Sequence, residues 1–116
     1  MIWTTLITIK IDVMIKRGLP PVHPGEILRE EYILERKLTL TEVADGLGIN
    51  IAELSDVVDE KKGISPELAV KLSEAFGNIT QFWINLQKNY EIWHAEKMVD
   101  RTLIRHFWKD SGLRSA

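Results

Sequence analysis

Glu91 and His94 stand three residues apart, a spacing that puts a carboxylate and an imidazole on one face of a helix. This is half of the pattern that di-iron carboxylate proteins use. That chemistry needs a second copy and two further glutamates, and the chain holds a single copy, so no metal is expected. Catalysis finds no other footing: there is no Gly-rich phosphate loop, no G-x-S-x-G turn and no H-E-x-x-H helix. Zero cysteines remove thiol catalysis, disulfides and zinc ribbons together. The chain is expected not to be an enzyme and to need no cofactor.

The residues that remain informative lie between 39 and 62. Thr39, Thr41, Asn50 and Ser55 are neutral polar side chains suited to base edges or phosphates. Ile51 and Ala52 offer only apolar contact, as to a thymine methyl, and Asp56 only accepts, as from cytosine N4. Lys61 and Lys62 are the neighbouring cations and the expected phosphate contacts, a solvated loop pair being the alternative. Together these make a candidate surface for double-stranded DNA. The charge balance opposes it. From Glu42 to Glu60 there are six acids (Glu42, Asp45, Glu53, Asp56, Asp59, Glu60) and no base, and the net charge is −2. A duplex carries one charge per roughly 1.7 Å, so acids on that face repel what cations would hold.

The elements that must position these residues are legible from caps and stops. The 116 residues suit one domain, and 45% hydrophobic content can build a core. Pro24-Gly25-Glu26 opens a first helix, 24–36, with His23 as a turn residue before it. Thr39 and Glu42 form a capping box for a second, 40–47, which Gly48 stops. Asn50 caps a third, 51–58, burying Leu54, Val57 and Val58. Ser65-Pro66-Glu67 starts a fourth, 66–76, ending at Gly77. A fifth, 79–97, carries Phe82, Trp83, Leu86, Tyr90 and Trp93 at helical spacing. Helix, Gly48-Ile49-Asn50, helix is the spacing of a helix-turn-helix, whose second helix enters the major groove with its N-terminal residues at base edges. Ala44 is the small residue where the two helices cross, and Ile49 plugs the corner.

Both ends lie outside this domain, assigned to 20–97. In the 1–19 extension, Ile7, Ile9, Ile11, Val13 and Ile15 alternate with Thr8, Lys10 and Asp12, a strand period. A lone strand is one reading; a start at Met14, leaving residues 1–13 outside the native protein, is the other. The extension lacks a basic n-region and a cleavage site and is too short to span a bilayer, so a cytoplasmic protein with no membrane partner is expected. The 98–116 tail is basic, with Phe107 and Trp108, and is left unplaced.

Three motifs then carry a resemblance. Pro21-Val22-His23-Pro24-Gly25-Glu26-Ile27-Leu28, Gly63-Ile64-Ser65-Pro66-Glu67-Leu68-Ala69, and Phe82-Trp83-Ile84-Asn85-Leu86-Gln87 with Tyr90 and Trp93 are similar, in order and spacing over residues 20–95, to those of HigA-type addiction-module antitoxins, also called virulence-associated protein I. These belong to the lambda-repressor-like helix-turn-helix superfamily. The resemblance implies an all-α, five-helix domain, a homodimer on palindromic operator DNA, repression of its own operon, and a partner toxin of the mRNA-cleaving, RelE-like HigB type. The chain departs from the pattern where similar proteins read DNA. Ile51, Ala52 and Asp56 stand where Arg, Gln, Ser or Thr are usual, Leu40 where a phosphate-contacting polar residue is common, and Asp59-Glu60 where Asn-Gly is frequent. Surplus apolar residues on the fifth helix mark Phe82, Trp83, Leu86, Tyr90 and Trp93 as the expected dimer interface. The expected function is a DNA-binding transcriptional regulator and antitoxin. The alternative is a helix-turn-helix fold acting mainly as a protein-binding module with a weakened DNA face.

Overall fold

The computed structural model describes residues 20–110 together with Ile9. The alternating stretch at 7–15 lies outside the described residues, Ile9 excepted, whose backbone is helical. Helices stand at the five expected places and no strand occurs among the described residues.

Helix α1 begins at Pro24–Ile27 and continues without a break as a π-helical stretch, Leu28–Leu34. His23 caps it: its Nδ1 accepts the Gly25 N–H at 2.9 Å. In the wider π turn, residues five apart stack, and the buried residues of the stretch are Leu28, Tyr32 and Ile33. The widening thus brings adjacent Tyr32 and Ile33 into the core beside Leu28. The helix was expected to run to Arg36 and stops at Leu34. The Leu38 N–H reaches back to the Ile33 carbonyl at 3.0 Å, Lys37 turns left-handed at φ 56, and the Arg36 guanidinium donates to the Tyr32 carbonyl at 3.3 Å. No glycine marks this stop, so the sequence carries no signal for it.

Helices α2 (Leu40–Leu47), α3 (Ile51–Val58) and α4 (Pro66–Phe76) follow the expected bounds. The Thr39–Glu42 capping box forms in both directions, and Gly48 and Gly77 take the left-handed stop at φ 70 and 76. Helix α5 runs Thr80–Met98 with no side-chain cap. Asn78, a natural cap residue, is used elsewhere: it accepts from Trp83 Nε1 at 3.0 Å and donates to the Tyr32 hydroxyl at 3.2 Å. A 3-10 turn, Arg101–Leu103, and a short helix α6, Phe107–Asp110, occupy part of the tail. No described helix is long and apolar enough to cross a membrane.

One apolar cluster joins all five helices, from Ile27, Leu28 and Tyr32 through Leu54, Val57 and Leu72 to Trp83 and Leu86. Ala44 is buried at the α2–α3 crossing and Ile49 packs half-buried against the cluster. Gly25 abuts the Val57 carbonyl so closely that any side chain there would collide with it. The start of α1 is thereby set against the end of α3, which fixes how α3 is presented.

Candidate nucleic-acid interface

The α2–turn–α3 unit exposes the front of α3. Asn50, Ile51, Ala52 and Glu53 are exposed, Ile51 at 47%, while Leu54, Val57 and Val58 anchor the helix in the core. Asn50 Oδ1 accepts the Ala52 N–H at 2.7 Å, so the cap consumes its acceptor and leaves its amide hydrogens to donate. Thr39 is more fully committed. Its hydroxyl accepts from the Glu42 N–H at 3.1 Å and donates to Glu42 Oε1 at 3.1 Å. Thr39 therefore holds α2 in place, whereas Thr41 stays exposed on its first turn. Ser55 is half-buried and donates to Asp59 Oδ2 at 3.3 Å. Leu40 is half-buried against the core and presents little to a phosphate.

Asp56 is placed differently from the other acids. Its carboxylate faces Lys62 Nζ at 3.6 Å, with side chains 36% and 63% exposed. Its carbonyl accepts the Lys61 N–H at 2.8 Å and the Lys62 N–H at 3.2 Å, folding the loop after α3 back onto the helix. Within that loop Glu60 is left-handed, at φ 64. Glycine or asparagine suits such a position; here a glutamate bears it. Lys61 makes no ion pair among the described residues and is exposed. An exposed pair such as Lys62–Asp56 contributes about 0–1 kcal/mol, so a phosphate can draw Lys62 away at small cost.

The expected dimer residues divide. Trp83 is 0% exposed and Leu86 6%, which corrects their assignment to an interface: both sit in the core of the protomer. Trp83 packs against Tyr32, with ring centroids 4.9 Å apart, and satisfies its indole N–H on Asn78. A five-helix domain of this size uses those large side chains to fill its own centre. Phe82 is half-buried on Trp83 at 5.2 Å. Tyr90 and Trp93 are half-buried further along, and Tyr90 meets His23 edge-on at 4.8 Å and His94 at 4.4 Å. Burial holds the His23 imidazole below its ordinary titration range, with Glu60 and Glu26 pulling the other way. Beyond these, Ile92 on α5 and Met98, Val99, Leu103, Ile104 and Phe107 at its end and in the tail are exposed and apolar.

Two functional contacts escaped the sequence. Arg29 Nη1 donates to the Val58 carbonyl at 3.2 Å and so braces the end of α3 from α1. Gln87 Oε1 accepts the Ile64 N–H at 2.7 Å, tying the lysine loop to α5. Gln87 was visible only as the last residue of a motif. Its other amide atom engages Glu91, which is therefore committed within α5.

Residues 28–81 match the helix-turn-helix family model. Virulence-associated protein I of Dichelobacter nodosus is 37% identical over 82 residues, 71% of this chain and 76% of that protein. The structure of the Pseudomonas aeruginosa antitoxin HigA with the higBA promoter superposes with a TM-score of 0.63 at 39% identity, covering 65% of this chain and 82% of that one. Antitoxin GraA superposes at 0.71 with 30% identity, covering 77% and 99%. The chain thus belongs to the HigA-type antitoxin and virulence-associated protein family of helix-turn-helix proteins.

Proposed function

We propose that the chain is a homodimeric operator-binding repressor that doubles as the antitoxin of a type II toxin–antitoxin pair. The observation that carries the DNA reading is the exposed first turn of α3, capped by Asn50 and flanked by a folded-back loop bearing Lys61 and Lys62. The P. aeruginosa relative solved with promoter DNA supports the same use of the fold. Thr41, Asn50, Ile51, Ala52 and Asp56 face the groove in this reading, Lys61 and Lys62 take phosphates, and Ser55 and Thr39 support the helices. Dimerisation is assigned to Phe82, Tyr90 and Trp93 with the exposed apolar residues beyond them, and the toxin, an mRNA-cleaving RelE-like protein, to surfaces away from α3. A gel-shift titration against DNA upstream of the gene tests the first half. Two lysines per subunit give four phosphate contacts per dimer, hence a log–log salt slope of about −4. No shift of that DNA at low salt overturns it. Co-expression with a neighbouring toxin gene tests the second half, through rescue of growth and a complex that survives purification.

The acids favour a second reading, a protein-binding module with a weakened DNA face. Glu42, Asp45, Glu53, Asp59 and Glu60 are all exposed around α2 and α3. Under it the toxin complex forms while the upstream DNA is not shifted.

A further inference from the structure

The loop between α3 and α4 is held from two sides. On one side the Lys61 and Lys62 N–H groups converge on the Asp56 carbonyl at 2.8 and 3.2 Å. On the other the Ile64 N–H donates to Gln87 Oε1 at 2.7 Å, and Gln87 Nε2 donates to Glu91 Oε2 at 2.8 Å. Gly63 lies directly against the Gln87 amide, so that a side chain at 63 would push that amide aside. One side chain of α5 thus shapes the backbone immediately after the two lysines. The left-handed Glu60 inside the loop is a conformation that persists only while surrounding contacts over-determine it.

We infer that Gln87 is a positioning residue for DNA binding, setting the loop backbone so that Lys61 and Lys62 meet phosphates without first being ordered. The inference rests on the operator-binding reading above. A lysine on a loose loop loses conformational freedom when it binds, and a loop already held avoids that cost. Glutamine suits the task because one amide supplies the acceptor that Ile64 needs and the donor that Glu91 needs. Glutamate keeps the first and loses the second; alanine loses both. If Gln87 only stabilised the fold, replacing it would lower the folded fraction and leave the number of phosphates touched unchanged. If it positions the loop, replacing it weakens binding beyond the loss of folded protein, and the salt slope falls where a displaced lysine no longer reaches its phosphate.

The test is a gel-shift titration at several salt concentrations with wild type, Gln87→Ala, Gln87→Glu and the double variant Gln87→Glu with Glu91→Gln. Gln87→Ala is expected to bind roughly three- to tenfold more weakly, its slope falling from about −4 towards about −2. Gln87→Glu places two carboxylates side by side and should lose affinity as well. The double variant keeps the Ile64 acceptor, reverses the outer donor and acceptor, and should recover the wild-type slope. Without DNA, trypsin should cut after Lys61 and Lys62 faster in Gln87→Ala and at the wild-type rate in the double variant. If Gln87→Ala keeps the wild-type slope and weakens only in proportion to its folded fraction in a melt, the inference is overturned. Should Gln87→Ala not fold, Gln87→Glu against the double variant decides on the same slope. A wild type that fails to shift the DNA sinks the operator reading and this inference together, and is told apart because the wild type itself is then silent.

Discussion

Helices α1 and α3 begin alike and end up in opposite surroundings. Each is preceded by an extended residue whose side chain takes a backbone N–H two positions on: His23 from Gly25 at 2.9 Å, Asn50 from Ala52 at 2.7 Å. The α1 start is sealed, with His23 5% exposed under the Tyr90 ring and Gly25 pressed on Val57. The α3 start is open, with Asn50, Ile51, Ala52 and Glu53 in solvent. The same local capping therefore serves cohesion at one end and display at the other. What separates them is which face the neighbouring helices cover.

The largest expected effect lies on the sealed side. Trp83→Ala removes the largest fully buried side chain among the described residues and leaves the Asn78 side-chain oxygen without its donor. It should cost about 3–5 kcal/mol in a denaturant titration. If stability holds and only the dimer mass is lost by sedimentation, Trp83 belongs to the interface after all.

On the open side, Lys61→Ala combined with Lys62→Ala should weaken operator binding by about tenfold or more and flatten the salt slope. The loss should be nearly uniform across DNA sequences, because phosphate contacts carry no base information. A loss confined to one sequence would show the lysines reading bases.

His23 sharpens the contrast through pH. Protonating Nδ1 removes the acceptor for the Gly25 N–H, and burial holds the folded-state value below the ordinary 6.5. The unfolded chain therefore takes the proton first. The stabilisation is complete above about 6.5 and is lost as pH falls through the window between 6.5 and the lowered folded-state value. His23→Asn keeps a cap acceptor and removes the titration, so its melting temperature should fall less than that of wild type from pH 7.5 to 5. Losing a cap outright is worth about 1 kcal/mol. Parallel pH curves for the two proteins would remove His23 from this role.

The smallest effect concerns Asp56. Without its carboxylate Lys62 is free for phosphate and the groove face is less acidic. Asp56→Asn should tighten operator binding by about two- to fivefold and steepen the salt slope, given how little an exposed pair contributes. Weaker binding instead would mean that the carboxylate reads a base or orders Lys62.

Helix starts and stops were legible wherever a single residue type carries the signal. The Thr39–Glu42 box, Asn50, Ser65-Pro66, Gly48 and Gly77 all act where the sequence places them. The end of α1 was not legible, because a π stretch closed by Lys37 and Arg36 relies on contacts that leave no compositional mark. The start of α5 carries no side-chain cap, and the side chain of nearby Asn78 is claimed by Trp83 and Tyr32. The candidate site divides the same way: the residue types on α3 and the acid-rich surroundings are plain in the chain, but the pairing of Asp56 with Lys62 and the commitment of Thr39 are not.

By itself the sequence determined the local elements and the family, because caps, glycine stops and motif spacing act within a few residues. Tertiary structure alone decided which aromatic residues of α5 fill the core and which acid is neutralised. It also decided which glutamine braces the lysine loop. These depend on groups far apart in the chain, as Gln87 is 23 residues from Ile64 and Arg29 is 29 from Val58. No local pattern specifies such meetings; the packing of one buried cluster does.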